Sequence, residues 1–238
     1  MTLTTSPARS VATRWHRMAD PDALVRAVVQ RILARAQAAI AEHAVFRIVL
    51  AGGTTPQAVY RALADVPADW ARWQVYFGDE RCLPVDDPQR NSVMAMQNWL
   101  GRVAIPDTNV HPIPAELGAE TAAIRYAGSI ATARPFDLVL LGVGEDGHTA
   151  SLFPGQQHAA SEAVHAVHAA PKPPSERVTL GMEALNDSEE VLILAAGSSK
   201  RAALQRWRAG ADLPVAHIHG LRGADVYIDA AADEQENS

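Results

Sequence analysis

Four apolar runs in this chain each stop at a glycine-containing turn that carries polar or charged groups, and that repeated pattern restricts the fold more than any other feature. The runs are residues 46–50, 74–77, 137–141 and 191–196. The turns that follow them are Ala51-Gly52-Gly53-Thr54-Thr55-Pro56, Gly78-Asp79-Glu80-Arg81, the stretch from Gly142 to Gly155, and Gly197-Ser198-Ser199-Lys200. Short, continuously apolar runs predict strands covered on both faces rather than half-exposed ones. Helical patterns lie between them. Asp20-Pro21 opens the first, with Asp as N-cap and Pro at the first helical position, and Leu24, Val25, Val28, Ile32, Leu33 and Ile40 form its apolar stripe. Arg26, Arg31 and Arg35 are expected on its solvated face.

Further helices are expected from Thr54 through Val59, Leu63 and Val66, over about 92–103, over about 117–132, and after Lys200, where Leu204 and Trp207 recur. Additional strands are expected at 177–180 and 226–228. The prolines at 171–174 predict a stiff extended segment, and residues 230–238 a frayed tail. Alternating strands and helices predict a three-layer α/β/α fold with a mostly parallel, Rossmann-like sheet. The length of 238 residues suits one domain spanning 1–238.

A net charge of −6 argues against a nonspecific nucleic-acid partner, which needs a basic field to displace counterions. Cys82 is the single cysteine, so neither an intramolecular disulfide nor a cysteine-based zinc cluster can form. The first fifteen residues lack a signal-type apolar stretch, and no segment approaches the length of a membrane span. The expected compartment is the cytoplasm, without a membrane partner.

Ligands of open α/β sheets bind at the carboxyl ends of the strands, which is where all four turns fall. A glycine-rich turn running into a helix offers backbone N–H groups to an anion, although the 51–56 loop alone would also serve as a plain strand-to-helix connection. Asp146 and His148, two residues apart, supply a base and a group to orient it. Arg81 and Lys200 add cations. Together these predict a phosphorylated small molecule held beside a general base. A dinucleotide site fits poorly, because Pro154 and Gly155 leave no room for the long helix that should follow Gly142-x-Gly144-x-x-Gly147. No G-x-S-x-G elbow is present. His165-x-x-His168 and His217-x-His219 are expected to be without nearby carboxylate partners and read as surface or core residues rather than metal ligands.

The blocks Ala51-Gly-Gly-Thr-Thr-Pro56, Phe77-Gly-Asp-Glu-Arg81, Leu141 to Pro154, Arg177-Val-Thr-Leu180 and Gly197-Ser-Ser-Lys200 occur in an order and spacing that resembles the 6-phosphogluconolactonase family. The resemblance implies the α/β/α fold of that superfamily and hydrolysis of 6-phospho-D-glucono-1,5-lactone without a redox cofactor or required metal. The expected assembly is a monomer or small homo-oligomer. His148 becomes the general base, Asp146 its orienting partner, and Arg81 with the glycine-turn N–H groups the stabilisers of an oxyanion. Gly53, Thr54, Thr55, Arg177 and Lys200 become phosphate ligands, and Asp79 a residue on the substrate side. One departure is Arg90-Asn91, where the family usually has Ser-Asn. The related glucosamine-6-phosphate deaminases carry a Glu just before the proline, where this chain has Phe153. A noncatalytic sugar-phosphate sensor attached to a DNA-binding unit finds no helix-turn-helix before Phe46.

Overall fold

The structure, a computed structural model, describes residues 12–157, 159 and 162–233. In chain order the elements are β1 (Thr13–Met18), α1 (Pro21–His43), β2 (Phe46–Leu50), α2 (Thr54–Leu63), β3 (Trp73–Phe77), β4 (Asp79–Arg81), α3 (Asn91–Asn98), α4 (Ala119–Ile130), β5 (Phe136–Gly142), β6 (Val164–Val167), β7 (Arg177–Leu180), α5 (Met182–Asn186), β8 (Ser188–Ala195), α6 (Arg201–Arg208), β9 (Ala224–Asp229) and α7 (Ala230–Asp233). Six strands form one sheet in the order β1-β9-β8-β5-β2-β3, and every neighbouring pair is parallel. Helices cover both faces, giving three α/β/α layers. Residues 136–141 of the central strand β5 are buried throughout, which matches their uninterrupted apolar pattern apart from Asp137.

Strand order reverses between β2 and β5. The chain steps outward from β2 to β3, then returns to the other side of β2 as β5 and proceeds through β8 to β9. A crevice opens at such a switch point, outside the carboxyl ends of the two central strands. A second sheet, β4-β7-β6, is antiparallel and begins one residue after β3. Gly78 makes that junction, its N–H donating to Leu50 O at 2.9 Å while its carbonyl accepts from Leu180 N at 2.7 Å. The small sheet is thereby fastened to the crevice end of the large one.

Local chemistry explains most boundaries. Asp20 caps α1 by accepting from Ala23 N at 2.7 Å, and Ala44, at φ 67°, ends it. Tyr60 accepts from Ala51 N–H at 3.0 Å and donates to Ala51 O at 2.8 Å, and Tyr126 serves both backbone groups of Phe77 at 2.8 and 3.1 Å. These hydroxyls satisfy strand-end groups that the ladder leaves unpaired, so the turns beyond them start from fixed points.

Several expectations are corrected. Arg35 is buried, not solvated, because Asp137 is buried at the start of β5 and requires a counter-charge; the pair stands at 3.1 Å. Arg31 is partly exposed and reaches Glu190 of β8 at 2.6 Å. Helix α2 stops at Leu63, short of Val66. Residues 171–174 bend rather than extend, since Arg177 donates to the carbonyls of Lys172 and Pro174 at 2.7 and 3.0 Å. The chain after β9 begins with α7, whose Ala232 is buried and whose Ala232 N–H donates to Asp229 at 2.9 Å. Residues 234–238 and 1–11, on which the rest of the tail and most of the leader expectations fell, lie outside the described residues. Strand β1 escaped the sequence reading altogether.

Candidate active site

The switch-point crevice is a cavity of about 410 Å³, within the usual size range of small-molecule sites. One wall is the turn after β2. Gly53, at φ 103°, is the N-cap of α2 and offers no side-chain cap, so the first N–H groups of α2 have no partner of their own at the cavity edge. The facing wall is the turn after β5. There His148 Nδ1 stands 2.5 Å from Asp146 Oδ1, and the same carboxylate oxygen accepts from His148 N–H at 3.1 Å. Gly144 carries no side chain because a Cβ there would overlap both the His148 ring and the Asp146 carboxylate. A Gly144→Ala variant is therefore expected to displace the pair and lower kcat by roughly 10²-fold, the usual result of a misplaced catalytic group; steady-state kinetics on a variant of unchanged melting temperature checks it.

Burial would raise the Asp146 carboxyl, but the N–H of His148 and the imidazole beside it outweigh that effect and hold it below the usual carboxylate range. Asp146 is thus ionised and accepts from Nδ1–H, which fixes the tautomer that leaves Nε2 as the acceptor. Nε2 has no hydrogen-bond partner among the described residues. The imidazole packs on Phe153, 4.7 Å between ring centroids, and the Arg177 guanidinium lies over the same ring, 5.6 Å from its centroid.

The small sheet supplies cations. Arg81 and Arg177 are direct cross-strand partners in β4 and β7, both lining the cavity. Like charges placed opposite each other are unfavourable without an anion between them. Burial lowers the Arg177 pKa; Asp79 opposes that shift and Arg81 adds to it. Lys200 lines the cavity from the turn after β8. Among the described residues no carboxylate stands within ion-pair distance of Arg81, Arg177 or Lys200. The arrangement suits a multiply charged anion.

Of the residues singled out in the sequence, Gly53, Thr54, Asp79, Arg81, His148, Arg177 and Lys200 line this one cavity. Asp146 reaches the cavity only through its bond to His148, and Thr55, in the first turn of α2, is not among the lining residues. Asp79 is buried and already engaged: it accepts from Ser151 Oγ at 2.6 Å and from Asn91 Nδ2 at 3.0 Å. In the glycine turn, the N–H groups of Gly144, Gly147 and His148 have acceptors within the turn, so they are not available to a ligand. The sequence reading missed Asn91 and Lys172 as lining residues. A lysine set among three prolines, Pro171, Pro173 and Pro174, was the available signal for the second. The expectation that His165, His168 and His217 have no carboxylate partner is corrected: His165 lies next to Glu162 at 3.1 Å, His168 next to Glu120 at 2.8 Å and Glu176 at 2.6 Å, and His217 next to Asp212 at 2.5 Å. Among the described residues no three His, Cys, Asp or Glu side chains converge as a metal site would need, and no helix is long and apolar enough to cross a membrane.

A family model described as glucosamine-6-phosphate isomerases/6-phosphogluconolactonase matches residues 19–227. The 6-phosphogluconolactonase of Streptomyces coelicolor is 36% identical, over 91% of this chain and 92% of its own. The crystal structure of 6-phosphogluconolactonase from Thermotoga maritima matches with a TM-score of 0.86 at 32% identity, covering 92% of this chain and 100% of that one. A monomeric glucosamine-6-phosphate deaminase matches with a TM-score of 0.81 at 22% identity, covering 92% and 98%, a likeness of fold alone. The chain belongs to the glucosamine-6-phosphate isomerase/6-phosphogluconolactonase family.

Proposed function

We propose that this protein hydrolyses 6-phospho-D-glucono-1,5-lactone to 6-phospho-D-gluconate, the second step of the oxidative pentose phosphate pathway, in the cytoplasm. The observation that carries the reading is the Asp146–His148 pair facing a cavity ringed by Arg81, Arg177 and Lys200. The relatives named 6-phosphogluconolactonase support it.

Nε2 of His148 takes a proton from a water whose oxygen attacks the lactone carbonyl carbon, and the carbonyl electrons move onto oxygen. Asp146 stabilises the resulting imidazolium. Arg81 faces the developing oxyanion, and preorganised donors at such a charge are usually the largest catalytic contribution. The tetrahedral intermediate then collapses, breaking the bond from carbon to ring oxygen, and the imidazolium returns its proton to that oxygen as it leaves as a hydroxyl. The phosphate is held by the α2 N-terminus at Gly53 and Thr54, by Arg177 and by Lys200.

Phe153 separates this reading from deamination. A carboxylate at that position would give the histidine a second proton partner, whereas the phenyl ring gives it only a packing surface. Substrate choice is the test: one preparation is offered the phosphorylated lactone and glucosamine 6-phosphate. Lactone loss without ammonia is the expected result. Ammonia release without lactone loss would move the chain to the deaminase branch.

A further inference from the structure

We propose that Arg90 is a positioning residue of the active site, acting through the buried carboxylate of Glu80 on Arg81 and Asn91. Glu80 is fully buried, yet it makes no contact with the cavity. Its Oε1 accepts from the N–H groups of Arg81 at 2.9 Å and Asn91 at 2.7 Å, and its Oε2 from Ser92 N–H at 2.9 Å. One carboxylate thus joins the end of β4 to the start of α3, a helix whose own N-cap residue, Arg90, makes no capping bond. Both joined residues line the cavity. Asn91 in turn donates to the backbone and side chain of Asp79, at 2.9 and 3.0 Å, and fills the space where a side chain at Gly52 would stand.

A carboxylate that accepts three N–H bonds so deep in the protein is stabilised by a cation beside it. Arg90 supplies it. Its Nε stands 3.5 Å from Glu80 Oε2, its Nη1 2.9 Å from Glu116 Oε2, and its Nη2 donates to Ile113 O at 2.7 Å. The Arg90 side chain is itself 1% exposed, so the network has little freedom to rearrange. Arg90 does not touch the cavity; its effect on catalysis passes through Glu80.

The proposal rests on the lactonase reading for its kinetic arm only. The experiment compares Arg90→Met, Glu80→Gln, the double variant and Arg90→Lys. It measures kcat and KM for the phosphorylated lactone and amide hydrogen exchange at Arg81, Asn91 and Ser92. Arg90→Met and Glu80→Gln are each expected to lower kcat by roughly 10- to 100-fold with a smaller change in KM, since a misplaced group of about 1 Å costs that order. The double variant should lose no more than the poorer single one, because both act on one linkage. Arg90→Lys should retain more activity than Arg90→Met, and exchange at the three amides should quicken in Arg90→Met and Glu80→Gln. A kcat that stays normal while only the melting temperature falls would overturn the proposal, as would fully additive losses or unchanged exchange. Should Arg90→Met fail to fold, Glu80→Gln and Arg90→Lys decide by the same criteria. A wild-type protein inactive on the lactone would count against the lactonase reading, and the exchange arm would still judge the linkage.

Discussion

Replacing His148 with alanine is expected to lower kcat by about 10²–10⁴-fold, the usual contribution of a positioned general base, with little change in affinity for 6-phosphogluconate. The imidazole is 20% exposed at the cavity wall and its Nδ1 is committed to Asp146, so the ring has one nitrogen to offer and a fixed direction in which to offer it. In the proposed function ground-state binding falls to other residues, the cations and the α2 N-terminus, which the substitution leaves in place. Loss of kcat without loss of affinity is the signature of a group that acts only in the transition state. A near-normal kcat would remove the general-base role. The pH dependence has a definite sign. Asp146 is held below the usual carboxylate range, so its pairing contributes stability above its unfolded pKa, lost as pH falls through the lower folded value. Asp146 accordingly remains ionised throughout the neutral range.

Lys200→Ala and Arg177→Ala are each expected to raise KM by roughly 10- to 100-fold, because a hydrogen bond to a charged group is worth about 1.5–3 kcal/mol and about 1.4 kcal/mol is tenfold in affinity. The two variants should differ in a second respect. Lys200 has no protein partner to lose among the described residues, so its removal should leave the melting temperature unchanged. Arg177 also holds the bend at 171–174 through the carbonyls of Lys172 and Pro174 and lies over Phe153. Its loss should lower the melting temperature as well as the affinity. Titration of 6-phosphogluconate by calorimetry checks both, and wild-type titration curves would count against the phosphate site.

Much of this arrangement was legible in the chain itself. The glycine turns marked the strand ends, and the parallel topology brings those ends together at the reversal between β2 and β5. What remained hidden depends on tertiary neighbours. Strand β1 has the sequence TRWHRM and lies at the sheet edge, where charged residues are tolerated and apolar periodicity is weak. Its attachment relies on pairing with β9 and on Trp15 packing against Trp207, 4.8 Å between ring centroids. Arg35 sits on what looked like a polar helix face until Asp137, about a hundred residues later, is brought beneath it. The bend at 171–174 is held by Arg177, and proline content alone favours the extended form. Asp79 and Arg81 were read as groups at a strand end, but they form a strand of a second sheet whose register sets Arg81 opposite Arg177. That pairing, more than any single motif, sets two cations side by side at the cavity wall.

The account is tested most directly by adding the purified wild-type protein to freshly generated 6-phospho-D-glucono-1,5-lactone and following lactone loss against spontaneous hydrolysis. The expected result is a saturable acceleration proportional to enzyme concentration, with 6-phosphogluconate as the product. Lactone loss at the spontaneous rate in the presence of micromolar protein would contradict it.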